Sequence, residues 1–388
     1  MDQEEMGSGG AWPVVVRFPV EPVEAAVEAD AMDAVVQVDT LAVRGPLFGV
    51  AAQSVEAEQR PQWRVVSAVT AGCPQTARDS LNSLLWFRAK DDAQDREERR
   101  ALLAAVARLE RERVDELTVL GTRYRIVRAE EYAGLDADGI EQPRPTDPEP
   151  VRPDWDDGTT EAPIDYGLLL DPDAPITPAQ AAERLALRTL AYTGSRFPHD
   201  VRSDSQRAVD THPDVLLLPA TFAVVEQAAG GGWMSASALH GSAHEARKTL
   251  DFSLTWWEPR RRGLVPVGAH RDVDARTLVA EGVDPAASEL APYAEAADQL
   301  RAGRVNQLEV EGTVYRIGRT RRLLRWGPDG PEGPRPSDIN RHGPERIHPV
   351  LDEDGNILPE DEDNEAEPSL LRVHSLRDSE RTPAAAQA

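Results

Sequence analysis

Apolar and polar positions along this chain follow two rhythms, and the succession of rhythms comes round twice. LFGVAAQ (47–53) and QWRVVSAV (62–69) are short runs with the period of a strand, joined by a polar loop. A helical period follows, with Ala77, Leu81, Leu84 and Leu85 on one face, Cys73 at the cap position and Pro74 at the first turn. In DREERRALLAAVARLERER (95–113) acids lead, arginines close, and Leu102, Leu103, Val106 and Leu109 face one way, which predicts an amphipathic helix well oriented for its dipole. Alternation then resumes on both sides of Leu120-Gly121, with Leu117 and Val119 before and Tyr124 and Ile126 after, as in a tight hairpin.

The second round begins at FAVVEQ (222–227) and turns through the glycines of AAGGGW (228–233). It continues with a helix capped by Ser242 with Glu245 at the third position, a shorter helix in LAPYAEAADQLRAGR (290–304), and a hairpin in which Leu308 and Val310 precede Glu311-Gly312 and Tyr315 and Ile317 follow. Residues 113–147 and 304–338 align without a gap and share 17 of 35 positions. The shared residues concentrate in GTRYRIVR/GTVYRIGR and in DGIEQPRPTD/DGPEGPRPSD. Each round opens on a helix: EPVEAAVEADAMDAVVQ in the first, and in the second ITPAQAAERLALRTLAY, with Thr177 as cap, Pro178 at the first turn and Gln180 completing a capping box.

The pattern predicts an α+β protein made of two divergent copies of a β-β-α-α-β-β unit. An antiparallel sheet carries helices on one face, with the copies related by a pseudo-twofold axis. The expected division is a disordered N-terminus at 1–19, copy one at 20–134, an acidic Pro-rich linker at 135–174, copy two at 175–338 and an acidic disordered tail at 339–388.

Composition changes this picture in three respects. The net charge of −25 concentrates in the two termini and the linker, so the folded units are near neutral. One cysteine excludes an internal disulfide and a cysteine-built zinc site. No apolar stretch is long enough to cross a membrane and the N-terminus lacks a signal-peptide pattern, so a cytoplasmic location is expected. Lys90 and Lys248 are the only lysines among 43 basic residues, a bias that makes any single arginine weak evidence of function.

Candidate chemistry is sparse. In the two YRIxR strands, Tyr and Ile share a face with Arg128 or Arg319 further along, near the rim, and Arg125 or Arg316 points the other way. Paired arginines of this kind can hold a carboxylate or phosphate by forked hydrogen bonds, although core packing is the simpler reading of such strands. GRTRRLLRW (318–326) and PRRRG (259–263) suggest a basic aromatic patch, but the pI near 4.7 and the acidic counterpart VRAEEYAGL speak against nucleic acid. Arg144 with Asp147, and Arg335 with Asp338, can pin the proline-rich loops locally. Cys73 aligns with Ser242 and reads as a cap rather than a nucleophile. His240 and His244 do not share a helix face, and no zinc, calcium, Walker or dinucleotide motif is present, so no metal, cofactor or catalytic residue is assigned.

EADAMDAVVQ, RGPLFGVAAQ, TAGCPQTARDSLNSLLWFRAKD and WGPDGPEGPRPSD resemble an uncharacterised actinobacterial family, common in streptomycete-type genomes and defined as a domain of unknown function. Some members carry the label PE-PGRS, which fits neither the N-terminus nor the glycine content here. The resemblance spans about 20–340 and implies no catalytic residues. The expected function is therefore a non-catalytic interaction or scaffold role, binding a partner protein or a small anion between the copies. Tyr124, Arg128, Tyr315, Arg319 and Trp326 would line the groove, with Trp63 and Trp233 nearby. An enzyme acting on a small anionic substrate and a nucleic-acid binder are the alternatives.

Overall fold

In the computed structural model the described residues are 13–55, 62–151, 153–155, 163–227, 231–282 and 287–358. The N-terminal half runs α1 (Pro22–Gln37), β1 (Thr40–Ser54), β2 (Trp63–Ala71), α2 (Pro74–Phe87), a π-helical turn (Arg88–Asp92), α3 (Arg96–Leu109), β3 (Glu116–Val119), β4 (Thr122–Asp136) and β5 (Gly139–Ile140). The C-terminal half runs β6 (Leu169–Leu170), α4 (Pro178–Leu187), α5 (His199–Thr211), β7 (Asp214–Gln227), β8 (Trp233–Ser235) and α6 (Ala243–Phe252). A second π-helical turn (Ser253–Trp257) leads into α7 (Glu258–Arg261), α8 (Ala275–Glu281), α9 (Ala287–Ala302), β9 (Gln307–Val310), β10 (Thr313–Gly327) and β11 (Gly330–Pro331).

All named strands join one antiparallel sheet in the order β6-β2-β1-β4-β10-β7-β8, with β3 and β5 added to β4 and β9 and β11 to β10. The halves meet where β4 pairs β10, through Tyr132 with Arg321, Glu131 with Arg322, Glu130 with Leu323 and Ala129 with Leu324. Both hairpin turns fall where expected. Leu120-Gly121 and Glu311-Gly312 take positive φ at both central positions, the backbone that matches strand twist in a two-residue turn.

The helices lie on one face. Beneath α2 and α3 a core gathers Phe48, Val50, Leu81, Leu85, Leu102, Tyr124 and Ile126. Beneath α6, α8 and α9 another gathers Phe222, Val224, Leu250, Leu254, Leu300, Tyr315 and Ile317. Tyr124 and Tyr315 thus have like surroundings. The opposite face closes on itself around Trp63, Val69, Val127, Leu218, Leu324 and Trp326. Arg322 of β10 donates to the Val69 carbonyl of β2 at 3.3 Å. Three strand spacings, roughly 14 Å, separate those strands in a flat sheet, so the sheet must curl toward this face.

Several boundaries differ from expectation. Residues 13–19 include ordered chain: Val16 bridges Ile176, and Arg17 N–H donates to the Ile176 carbonyl. The 135–174 stretch contributes β5 and β6 to the sheet. Thr177 does cap α4 with a full capping box, but a further helix, α5, stands between it and β7. It is α5 that takes the place α1 has in the first half: Asp204 accepts from the Ser337 N–H as Asp30 accepts from the Thr146 N–H. The α5 segment has only Asp204, Ser205 and Ala208 buried, too thin a stripe to betray a helix in the sequence. The glycine turn at 228–230, residues 1–12 and the tail beyond 358 lie outside the described residues.

The expected tail does not begin at 339. Residues 339–358 lie along the N-terminal half, with Leu351 buried in its core. The His348 ring stacks on Trp86 at 4.6 Å between centroids, and Trp86 Nε1 donates to the Pro349 carbonyl at 2.9 Å. Arg96 meets Asp354 at 2.7 Å, and Arg99 donates to the Glu353 carbonyl. Two histidines set the pH response of this attachment. Hydrogen bonding to Asp79 raises His342, with the nearby Cys73 and Glu345 adding to the effect, so its contribution is full below the unfolded value near 6.5 and fades as pH rises through the folded one. Burial against Trp86 and Phe87 lowers His348, so its neutral stacking is favoured at higher pH and penalised as pH falls below about 6.5. Attachment is therefore expected to be tightest near pH 6.5 and weaker on both sides. Limited proteolysis between 342 and 358 as a function of pH checks this; a monotonic profile would contradict it.

Candidate functional site

The strands YRIxR and the loops DGxExPRPxD, the most similar parts of the two halves, come together by exchange. The loop that leaves β5 crosses onto β10, and the loop that leaves β11 crosses onto β4. Arg128 N–H donates to the Glu332 carbonyl at 2.9 Å, and Arg319 N–H to the Glu141 carbonyl at 2.7 Å. Arg128 Nε binds both oxygens of Asp338 at 2.9 and 3.2 Å, and Arg319 Nε both oxygens of Asp147 at 2.9 and 3.1 Å. Asp338 and Asp147 are themselves fixed by the N–H groups of Arg335 and Arg144, each at 2.7 Å. On the other face Arg125 donates to the Asp329 and Pro331 carbonyls while its guanidinium lies over Trp63. Likewise Arg316 donates to the Ile140 carbonyl and lies over Trp233. The two tryptophans complete the exchange by packing under the arriving turns, Trp63 against Gly330 and Trp233 against Gly139.

The rim position expected for Arg128 and Arg319 is not the one they occupy. They are 2 % and 7 % exposed, because each is consumed by the arm of the opposite half. Tyr124 and Tyr315 sit under the helices, far from a shared groove wall; Tyr124 accepts from Arg88 at 2.5 Å, and burial pushes Tyr315 up to about 12. Trp326 is buried on the curled face. The arginines of 318–326 are also internal. Arg321 pairs with Glu183, Arg322 with Asp165, and Arg325 donates to the carbonyls of Arg188, Leu190 and His212. Burial lowers Arg325 to about 10.

The halves differ where Glu130 stands at the position that aligns with Arg321. Burial opposes ionisation of Glu130, but Arg128, Arg335 and the Tyr192 hydroxyl outweigh it and hold the carboxyl below its usual range. Tyr192 donates to Glu130 at 2.5 Å, and burial together with that carboxylate pushes the phenol up.

This charged cluster forms one wall of a cavity of about 850 Å³ whose lining comes from both halves. The first half supplies Arg44, Arg128 and Glu131; the second supplies Tyr192, Arg335 and Arg341, with serines 235, 237 and 337 around the edge. Arg44 is placed by a bulge. The β1–β4 register skips between Val43 and Gly45, and Gly45 adopts φ +141, which re-aims the extra side chain. Arg44 Nε lies 2.5 Å from the Glu131 carboxylate, which is 1 % exposed and takes no aligned hydrogen bond among the described residues. The Arg44 side chain is 46 % exposed, and Arg341 is exposed with no ion pair among the described residues. Two edge serines are occupied by backbone: Ser235 donates to the Ser237 carbonyl, and Ser237 accepts from Val224 N–H and donates to the Ala238 carbonyl.

Behind the cavity Cys73 takes the N-cap position of α2 without a side-chain capping hydrogen bond, unlike Ser242, whose hydroxyl accepts from Glu245 N–H. Its thiol contacts the Thr76 hydroxyl at 3.2 Å. Burial opposes the thiolate, but N–H groups of Arg341, Thr76 and Gln75 prevail and lower the thiol. His244 bonds the Asp154 carbonyl edge-on to Trp155. Among the described residues no three His, Cys, Asp or Glu side chains are grouped to hold a metal, and no helix is long and apolar enough to cross a membrane.

Sequence reasoning missed Arg44, Glu131, Tyr192 and Arg341. Two signals were available: a carboxylate, Glu131, inside an otherwise buried strand, and an Arg-Gly-Pro step interrupting the alternation of β1. No curated protein and no solved structure matches the chain. A family model matches residues 21–341, almost the whole of the sheet and its helices, and the chain belongs to that family, the family of unknown function DUF5954.

Proposed function

We propose that the chain is an internally duplicated α+β protein that binds a small anion, without catalysis, in the cavity between its halves. The duplication is supported by the gapless alignment of 113–147 with 304–338, by the mirrored strand order on either side of β4 and β10, and by the reciprocal arms. A pseudo-twofold axis through the Glu131–Arg322 pair would relate the halves, since those two positions align with each other. A cytoplasmic setting and an actinobacterial lineage belong to the same reading, supported by one cysteine and an arginine-for-lysine bias.

The observation that carries the binding function is the cavity itself, with Arg44 and Arg341 bringing guanidinium groups from opposite halves to its lining. Arginine forks suit carboxylate or phosphate oxygens. Arg128 and Arg335 add positive charge behind them but are held by Glu130, Glu332 and Asp338, so they act as fixed background. A non-catalytic role fits the wall: Ser235 and Ser237 serve backbone groups, and its lining includes no histidine.

Thermal unfolding in millimolar phosphate, citrate and nucleoside monophosphate tests the reading. Ligand at about 100 times its dissociation constant stabilises by about 2.7 kcal/mol, so at least one anion should raise the midpoint by several degrees. Arg341→Ala should abolish that rise while leaving the ligand-free midpoint close to wild type, since that side chain is exposed and makes no ion pair among the described residues; Arg44→Ala should abolish it too but lower the midpoint, because it leaves the buried Glu131 carboxylate without its cation. No response from any anion, or an undiminished response in Arg341→Ala, overturns it.

A further inference from the structure

Among the described residues α1 is the one α-helix that buries none of its side chains. Its sequence does not suit that position. Eleven of the sixteen residues in PVEAAVEADAMDAVVQ are apolar and they occupy every side, a composition that belongs to a helix covered all round. Its acids are mostly turned inward. Glu24 pairs with Arg17 at 2.7 Å, Glu28 accepts from the Ala179 N–H at 2.7 Å, and Asp30 accepts from the Thr146 N–H at 3.2 Å. The side of the helix away from these contacts presents Ala25, Ala26, Ala29, Met32 and Val36, all exposed, with Asp33 as its one charge.

The second half shows what the same helix carries when water covers it. Thr40 opposes Leu135 as Asp214 opposes Trp326, so α1 and α5 enter their strands in the same register. Asp30 and Asp204 also hold equivalent N–H groups. At the positions that match Ala25, Ala26, Ala29, Met32 and Val36, α5 has His199, Asp200, Ser203, Gln206 and Asp210, again all exposed. The fold therefore does not require an apolar outer face at this place, and the first half has one in addition to what the fold needs. Met32 is 49 % and Val36 84 % exposed, and just ahead of the helix Phe18 and Val20 are 75 % and 85 % exposed.

We propose that the outer face of α1 is where two copies of this chain pair about a twofold axis, α1 against α1. A face with almost no charge calls for an apolar, uncharged cover, and a twofold pairing supplies one from the chain itself, each copy covering the other. A lipid surface fits less well, because α1 has no lysine or arginine and helices that lie on membranes carry these on their polar side. The alanines at 25, 26 and 29 let the two helix axes approach at the short end of the usual spacing of about 8–10 Å. Sixteen residues make a strip about 24 Å long. Two such strips, with Phe18 and Val20 at their N-terminal ends, bury roughly 1,000 Å² in all, the lower bound of a specific interface and the range of dimers that form and part with concentration. The pairing is independent of the cavity.

Sedimentation equilibrium of the full-length chain across the micromolar range tests this, and a reversible dimer is the expected result. Salt should tighten it, because each copy carries a net charge of −25 and screening removes repulsion while leaving the apolar contact in place. Met32→Gln with Val36→Asp gives α1 the residues that α5 carries. It should raise the dissociation constant by about a hundredfold, since each substitution counts twice across a twofold interface. The melting midpoint of the dilute protein should stay at the wild-type value, as neither side chain is buried within its own chain. A monomer at every concentration overturns the assignment, as would be seen if other parts of the chain or a different protein covered α1. A dimer that the double variant leaves intact, a dimer that salt weakens, or open-ended growth beyond the dimer overturns it equally.

Discussion

Asp165→Ala is expected to lower the unfolding free energy by about 3–5 kcal/mol, the usual cost of leaving one member of a buried ion pair alone. Asp165 and Arg322 have side chains with no exposure at all, beneath the curl of the sheet. Asp165 also accepts from Val69 N–H at 3.3 Å, and Arg322 donates to the Val69 and Pro219 carbonyls, so the pair ties β2 to β10 and β7. The carboxylate sits at φ +60, a backbone state that aspartate and asparagine tolerate better than alanine. Asp165→Asn should therefore lose less, keeping the turn and an acceptor while removing the charge. Replacing both partners, Asp165→Asn with Arg322→Met, should recover part of the Asp165→Ala loss, since an unpaired buried cation costs more than a matched apolar substitution. Urea titration of the four proteins checks the order. A shift of about 0.5 kcal/mol or less for Asp165→Ala, the size of an ordinary surface change, would show that the pair does not close the sheet. The same logic reverses what the sequence suggested for Arg128 and Arg319: their removal should destabilise the fold.

Gly330→Ala and Gly139→Ala are the second pair of large effects. A Cβ at Gly330 would lie 2.5 Å from the indole nitrogen of Trp63, and one at Gly139 2.4 Å from that of Trp233. Both glycines also hold positive φ, +107 and +119. Strain at such a backbone costs of order 1–3 kcal/mol and overpacking a similar amount, so each variant should lose several kcal/mol. Gly194→Ala and Gly263→Ala serve as controls, with positive φ but nothing within 4 Å, and should lose only the backbone part. Thermal midpoints of the four variants separate steric from conformational cost. Equal losses across all four would mean that the indoles move aside and do not brace the exchanged turns.

The fold was legible wherever a local rule governs it. Leu120-Gly121 and Glu311-Gly312 announce hairpins because two consecutive residues must accept positive φ, and Thr177 with Gln180 announces a helix start because both side chains have N–H groups to satisfy. Long-range partners were not legible. Asp147 and Asp338 do hold Arg144 and Arg335 locally, through backbone N–H, but they spend their forked bonds on Arg319 and Arg128, 172 and 210 residues away. No spacing rule reports such a distance. The cavity was hidden for the same reason: Arg44 and Arg341 meet at one lining only because the chain after β11 returns to the first half. Leu351 shows a third limit, since Val350-Leu351 ahead of an acidic run carries no period.

The crossed loops after β5 and β11 leave neither half self-sufficient. A frameshift that removed the second half would strip Arg128 of Asp338 and Trp63 of its lid, and the reverse loss would strip Arg319 of Asp147 and Glu141 and Trp233 of its lid. Such a molecule stands or melts as one body, and its two ends must change in step or not at all.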